Sequence, residues 1–473
     1  IPVAEDSEIS SLCASGDNII WAGTLNQGLY MVDASSMRII DNISKDNKKY
    51  SSLFNSSIPS LYCDNSNTIW VANRKGVCFA SLLPKNFTQV PLNLDPFSSQ
   101  HIQALLYDRK NIYLGMQNGK CYLHNIDNHT TKKLGLPQNI FPIKFYKFDT
   151  QIYLTSNLGI FHSEENNLQF THLSIDTEHE ASEIQNIFSM CRDRSGNNYY
   201  GGYTGLIIQT KNECDWAHNL YDQAGLLRNK RIFTLFYDHS SHCIWVGTIS
   251  EGIYKINLTD EGKVQSLEFY HSTMSNSYHI ANNAIWCFYK DRNDNIWVGT
   301  DAGLLLKQKG SNVFSHISTP GIVDKKIMAI MEDNQGKLWL SNSQGIIEYT
   351  PDSRKVKQYS FRDGLSTSTF TEAVDKDEDG NIYFGSINGI NMFNPSRIKQ
   401  STRINQVYLT GVKVHQQYIK PEIPLLGSTI LSKSINDTDT IRLNYRQNNF
   451  SFEFSGSNII DARESEFRYK LVG

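Results

Sequence analysis

The stretch Asp294-Asn295-Ile296-Trp297-Val298-Gly299-Thr300-Asp301-Ala302-Gly303-Leu304-Leu305 decides the fold of this chain. It reads as a strand, a tight turn at Ala302-Gly303 and a second strand. Ile296, Val298 and Leu304 are strand formers, and Gly303 tolerates the positive φ that such a turn often needs. Nearly the same text recurs between Cys243 and Tyr254, where Ile244-Trp245-Val246-Gly247-Thr248 leads to Gly252-Ile253-Tyr254. A third version is Ile20-Trp21-Ala22-Gly23-Thr24, closed by Gly28-Leu29-Tyr30.

Weaker copies centre on Trp70, Tyr113, Tyr153, Tyr200, Trp339 and Tyr383, which with Trp21, Trp245 and Trp297 makes nine aromatic anchors 40 to 52 residues apart. A glycine follows each anchor five to seven residues on: Gly28, Gly76, Gly119, Gly159, Gly205, Gly252, Gly303, Gly345 and Gly389. Many anchors are preceded by another strand ending in a polar turn, as in Ile232–Asp238, Ile102–Asp108, Ile285–Asp291 and Ile327–Asp333. A more polar fourth segment follows the glycine strand, as in Val313–Ile317 or Leu267–Tyr270. Four short strands per period of about 45 residues is the signature of a β-propeller blade. A blade cannot bury both faces alone, so its neighbours must stack on it.

The bulk numbers agree. Formal net charge is −3, from 45 basic and 48 acidic residues, so no overall basic field draws nucleic acid to this region. The 24 tyrosines and 23 phenylalanines suit aromatic sheet faces. No apolar run approaches the length of a membrane-spanning helix. The opening Ile1–Asp6 lacks the charged and apolar regions of a signal peptide, which suggests a mature or excised piece or a protein never exported. The eight cysteines show no C-x-x-C spacing. Cys13, Cys63, Cys191 and Cys287 fall at similar places in the strand before an anchor and read as small buried apolar residues, with disulfide formation left open.

The repeat stops near residue 399. Alternating strands are expected beyond it at Val407–Val412, Thr440–Leu443, Phe450–Phe454 and Phe467–Leu471, in a small Ig-like β-sandwich truncated at its end. The expectation is therefore an all-β chain in three parts: residues 1–97 as two blades of an upstream, incomplete propeller, 98–398 as a seven-bladed propeller, and 399–473 as the sandwich. A ring made from the first seven modules is the alternative.

The modules resemble the two-component-regulator propeller repeat. Leu443–Phe454, followed by Tyr469–Gly473, resembles the triple-tyrosine (Y_Y_Y) domain that follows those repeats. The resemblance implies the periplasmic sensor half of a hybrid two-component system of gut Bacteroidetes. Such a region would bind a glycan-derived oligosaccharide as a homodimer and signal through a downstream transmembrane helix to a histidine kinase. The output would be transcription of polysaccharide-utilisation genes. The resemblance implies no cofactor and no catalysis by this chain. A propeller glycoside hydrolase or polysaccharide lyase and a protein-binding scaffold are the rival readings.

Asp375–Gly380 begins like a calcium loop, but Ser386 stands where an EF-type loop needs an acidic residue, and the stretch reads as a solvated turn. Asp333–Trp339 and its counterparts read as structural turns, and no pair of carboxylates stands out from the repeat as glycosidase chemistry requires. By resemblance to other propellers, a ligand is expected where the turns after the anchor strands meet the loops entering the next inner strands. Sugars are held there by aromatic faces and polar side chains, with cations for acidic sugars. The candidates are the cluster Arg228, Asn229, Lys230 and Arg231, then His279, Asn282, Asn283, Lys325, Lys326, Thr369 and Phe370, with Arg74 and Tyr203 from the post-anchor turns.

Overall fold

A computed structural model describes residues 8–15, 18–44, 53, 55–64, 68–81, 86–94, 99–174, 185–210, 214–216, 227–274, 279–360, 363–398, 407–456 and 469–470. The described residues form an all-β structure whose strands are joined by turns and a few short 3₁₀ segments. The chain divides into two compact units, residues 85–399 and residues 1–84 with 400–473.

The opening stretch shows why the repeat folds as it does. Ile296–Thr300 pairs with the inner strand Ile285–Lys290 on one side and with Gly303–Lys307 on the other, and Phe314–His316 forms the outer edge. Each position has a separate task. Trp297 is buried and donates its indole N–H to Asp291 Oδ2 at 2.8 Å. Val298 is fully buried. At Gly299 the next blade comes so near that a Cβ would lie 2.6 Å from the carbonyl oxygen of Ile327. Thr300 Oγ1 donates to the carbonyl of Gly303 and accepts from Ala302 N, holding the turn. Gly303 has φ +122°, a backbone that side chains disfavour. The Trp-Val-Gly-Thr text thus encodes a core residue, a blade contact and a turn in register.

The polar turns before the anchors share one design. Asp333 accepts from Gln335 N, Lys337 N and Trp339 Nε1, and Asp377 accepts from Asn381 N, Asn381 Nδ2 and Tyr383 O–H. These carboxylates satisfy buried donors of their own turn, including the turn at Asp375–Gly380. The segment from Asp238 to Trp245 is one residue longer. Asp238 there binds Lys290 Nζ at 2.7 Å, and Trp245 Nε1 has no partner among the described residues.

In residues 85–399 seven four-stranded sheets follow one another, with inner strands Ile102–Asp108, Pro142–Phe148, Ile187–Arg192, Ile232–Asp238, Ile285–Lys290, Ala329–Glu332 and Phe370–Lys376. We number these blades one to seven. Each inner strand packs beside the next, and the seventh packs beside the first, so the sheets close a ring. The apolar clusters lie between neighbouring blades, as where Tyr199 and Leu206 of blade three meet Leu235 and Val246 of blade four. Burying one such large side chain contributes about 2–3 kcal/mol.

The ring closes with a strand from outside the range expected for it. Blade seven has three strands of its own, ending at Gly389–Phe393, after which Pro395 begins a 3₁₀ turn. Thr88–Gln89 supplies the fourth by pairing with Asn391 and Met392, and Val90 N donates to Ile390 O. The boundary therefore falls before residue 88 instead of at 98. Without that strand the Gly389–Phe393 edge would be open to other chains.

In the other unit, Ile9–Ser15, Ile19–Thr24, Leu29–Asp33 and Ile39–Ile43 form one sheet, and Ser60–Cys63, Thr68–Asn73 and Gly76–Ser81 form a second. Trp21, Ile58, Ile69 and Val71 share the core between them. The later part has a sheet of Gln417–Tyr418, Val407–Val414 and Phe450–Gly456 and the hairpin Pro424–Leu425 with Ser428–Thr429. The strand expected at Thr440–Leu443 does not form. Ile441 and Leu443 instead pack half-buried on Val412, Val414, Ile430 and Leu431, without a ladder partner among the described residues. Gln447, fully buried, ties this part together, binding Asn444 N, Leu425 O and Ser428 Oγ. Of the strand expected at Phe467–Leu471, only residues 469 and 470 are described, and they are not in a strand.

Candidate functional site

The central channel of the ring is where side chains from all seven blades converge. Its lining includes Gln103, Ile143, Lys144, Phe188, Phe233, Trp286, Met328 and Glu372. A backbone irregularity aims most of them. In blades one to five the pairing of the inner strand skips one residue near its start: Gln103, Ile143, Phe188, Phe233 and Trp286 in turn. In blade seven the skip is wider, between Phe370 and Val374, and takes in Glu372. An unpaired extra residue of this kind is a β-bulge, which re-aims a side chain out of the ordinary alternation.

Three successive bulges carry aromatic rings, and these touch. Phe188 and Phe233 have ring centroids 5.5 Å apart, and Phe233 meets Trp286 edge-on at 4.7 Å. Tyr203, 44% exposed, extends the series by an edge contact with Phe188 at 4.8 Å. A cation caps each end. The Arg231 guanidinium lies 5.4 Å from the Tyr203 ring centre, and Lys326 Nζ lies 3.3 Å above the Trp286 ring. Asp301 accepts from Trp286 Nε1 at 2.7 Å and sits 3.9 Å from Lys326 Nζ, which fixes the indole and its cation together. Gln103, Lys144 and Glu372, from blades one, two and seven, supply the polar part of the lining. Burial pushes the Glu372 carboxyl up to about 7, against the opposing pull of Lys144 and Lys326. One side of the channel is thus an aromatic crescent, and the other carries hydrogen-bonding and ionisable groups.

Of the residues expected from sequence, the structure brings Tyr203, Arg231 and Lys326 into this crescent. The others are placed differently. Arg228 is exposed on the turn after Leu227, and Asn229 closes that turn with φ +61° by donating its N–H to Thr204 O. Lys230 pairs with Glu251 at 3.1 Å, and Lys325 Nζ donates to Gln344 Oε1. Asn282 caps Ala284 N, and Asn283 bonds His271 Nε2, Ser272 N and Ser272 Oγ, so both stabilise their own loop. His279 is exposed and bridges to His271. Thr369 N donates to Thr367 Oγ1. Phe370 is a correction: it is 1% exposed and packs with Trp339 and Phe384 in the core between blades six and seven, out of reach of a ligand. Arg74 lies in the other unit, on a turn outside the ring.

Sequence reading missed Phe188, Phe233, Trp286 and Glu372. A signal existed. Each of these aromatics follows the isoleucine that opens an inner strand, in Ile187-Phe188, Ile232-Phe233 and Ile285-Trp286. Comparing modules at that one position would have singled out three aromatics in a row. Among the described residues no group of His, Cys, Asp or Glu side chains is arranged to hold a metal ion. No helix among them is long and apolar enough to cross a membrane.

The family described as two component regulator propeller matches residues 279–302, which span the inner and anchor strands of blade five. Blade five is therefore similar to one copy of the two-component-regulator propeller repeat. A relative called histidine kinase P4, from Formosa agariphila, is 26% identical over 251 residues, covering 52% of this chain and 18% of that protein. The extracellular domain of the putative hybrid two-component system BT3049 of B. thetaiotaomicron superposes with a TM-score of 0.68 at 21% identity. That of BT4673 from the same organism superposes with a TM-score of 0.54 at 17% identity. These alignments cover 96% and 95% of this chain and 60% of each of those structures. The chain therefore shares the fold of those extracellular domains and spans less than two thirds of the length of these structures and about a fifth of histidine kinase P4.

Proposed function

We propose that this chain is part of the extracytoplasmic sensor region of a hybrid two-component histidine kinase, and that its ring binds an oligosaccharide at the channel mouth. The observation that carries the ligand reading is the crescent Tyr203–Phe188–Phe233–Trp286, flanked by Arg231 and Lys326. Aromatic faces stack on the apolar faces of pyranose rings, and the polar side of the channel offers partners to hydroxyls. The extracytoplasmic, signalling part of the reading is supported by the similarity to histidine kinase P4 and by the fold shared with the extracellular domains of hybrid two-component systems. The sensor lies in the periplasm, acts as a homodimer and controls polysaccharide-utilisation genes through the kinase. Binding acts on the kinase only if the sugar prefers one arrangement of the sensor over another.

Calorimetric titration against size-fractionated plant and host oligosaccharides, with analysis of the recovered sugar, tests the reading. Saturable binding of intact sugar that Trp286→Ala weakens is the expected result. Cleaved sugar would replace the sensor by a hydrolase or lyase. Binding that Trp286→Ala and Phe233→Ala leave unchanged would move the ligand away from the channel.

A further inference from the structure

We propose that Cys13 and Cys63 form a disulfide that staples together the two sheets of residues 9–81. Cys13 lies in the strand Ile9–Ser15 and Cys63 ends the strand Ser60–Cys63, two strands that pack side by side in successive modules. Their Sγ atoms are 2.6 Å apart. Both thiols are half-buried against the same core, formed by Trp21, Ile58, Ile69 and Val71. A bond between them needs only a small side-chain adjustment, because the backbones of packed neighbouring strands already bring the pair within disulfide reach. The nearest rival in sequence, Cys78, is on Gly76–Ser81, separated from Ser60–Cys63 by the strand Thr68–Asn73. Strands two apart in a sheet are about 9–10 Å from each other, beyond the reach of a disulfide. Cys121, Cys191, Cys243 and Cys287 lie on four different blades of the ring.

The chemistry is thiol–disulfide exchange with an oxidised dithiol protein. The thiolate of one cysteine attacks the donor's S–S bond and forms a mixed disulfide, expelling one donor thiol. The second cysteine's thiolate then displaces the other donor sulfur. Cys13 and Cys63 together lose two protons and two electrons, and the donor leaves as a dithiol. This rests on the extracytoplasmic placement proposed above, since oxidising compartments are where such bonds persist. It does not rest on the sugar site, which lies in the other unit. The staple closes the segment between residues 13 and 63 and thereby restricts the unfolded chain.

The test is to produce the chain with an export signal in a bacterial periplasm and alkylate it with iodoacetamide in denaturant without reductant. Six of the eight cysteines should be alkylated, and all eight after reduction. Trypsin should release residues 1–38 joined to residues 50–74, a pair that separates on reduction. Reductant should lower the melting temperature of this unit by on the order of 5–10 °C. The Cys13→Ser/Cys63→Ser double variant should melt at the lower temperature with or without reductant, and should bind sugar like the parent. Eight alkylated cysteines in the exported, unreduced chain, or a bond between any other pair, would overturn the assignment. The thiol count decides even if the double variant fails to fold, and either result leaves the channel titration to be judged on its own.

Discussion

Replacing Glu372 by Gln tests the electrostatics of the channel directly. The Glu372 carboxyl has its pKa raised from 4.5 to about 7, chiefly by burial and against the attraction of Lys144 and Lys326. A raised carboxyl favours the protonated form in the fold, so its ionisation works against folding. The stability it contributes is fully present below the unfolded value of 4.5 and is lost as pH rises through about 7. At about 1.4 kcal/mol per pH unit of displacement, the full cost at pH 8 is at most ~3.5 kcal/mol. Water in the open channel screens part of it, which leaves about 1–2 kcal/mol. Gln keeps the shape and never ionises. Glu372→Gln should therefore be more stable than the parent by about 1–2 kcal/mol at pH 8, or roughly 2–6 °C in the melting of the ring, and equal to it below about pH 4. Differential scanning calorimetry of both proteins from pH 4 to pH 8 measures this, because the titration of every other group cancels in the difference. A gap that does not change with pH, or a parent more stable at pH 8, would refute the argument.

Three further outcomes follow from the geometry. Trp286→Ala removes the ring that joins Phe233 to Lys326, and it should weaken oligosaccharide binding by ~10-fold or more in calorimetry while leaving far-ultraviolet circular dichroism unchanged. Asp333→Ala strands the buried indole N–H of Trp339 and two backbone donors, and should destabilise the ring by about 2–4 kcal/mol in urea denaturation. A chain beginning at residue 98 lacks Thr88–Gln89. It should melt lower than one beginning at residue 85 and aggregate in light scattering, because the Gly389–Phe393 edge is left open.

The blade was legible in the sequence because its determinants are local. Within a dozen residues, Asp291, Trp297, Gly299, Thr300 and Gly303 hold the turns, the core and the contact with the next blade, so the same text recurs wherever that job recurs. The polar turns were legible for the same reason. Of the site, sequence could point to the loops that carry Tyr203, Arg231 and Lys326, because cations and aromatics in turns on one face of a repeat are visible as such. It could not sort those three from Lys230, Lys325 and Asn283, whose partners Glu251, Gln344 and His271 lie 12 to 21 residues away across other strands and turns. Phe370 misled because a phenylalanine at the start of a strand looks the same whether it faces a channel or a core.

What the sequence determined by itself was the repeating β-sheet module and its order along the chain, because short-range alternation and turn chemistry suffice to specify a blade. What only the tertiary structure decided was how the modules close and what they enclose. Thr88–Gln89 meets Asn391 and Met392 across some 300 residues, a pairing set by which sheet edge is left open when seven blades have stacked. The aromatic crescent exists only because bulges in three separate inner strands turn Phe188, Phe233 and Trp286 toward one axis. A bulge is a local break in alternation, but the meeting of three of them is a property of the ring.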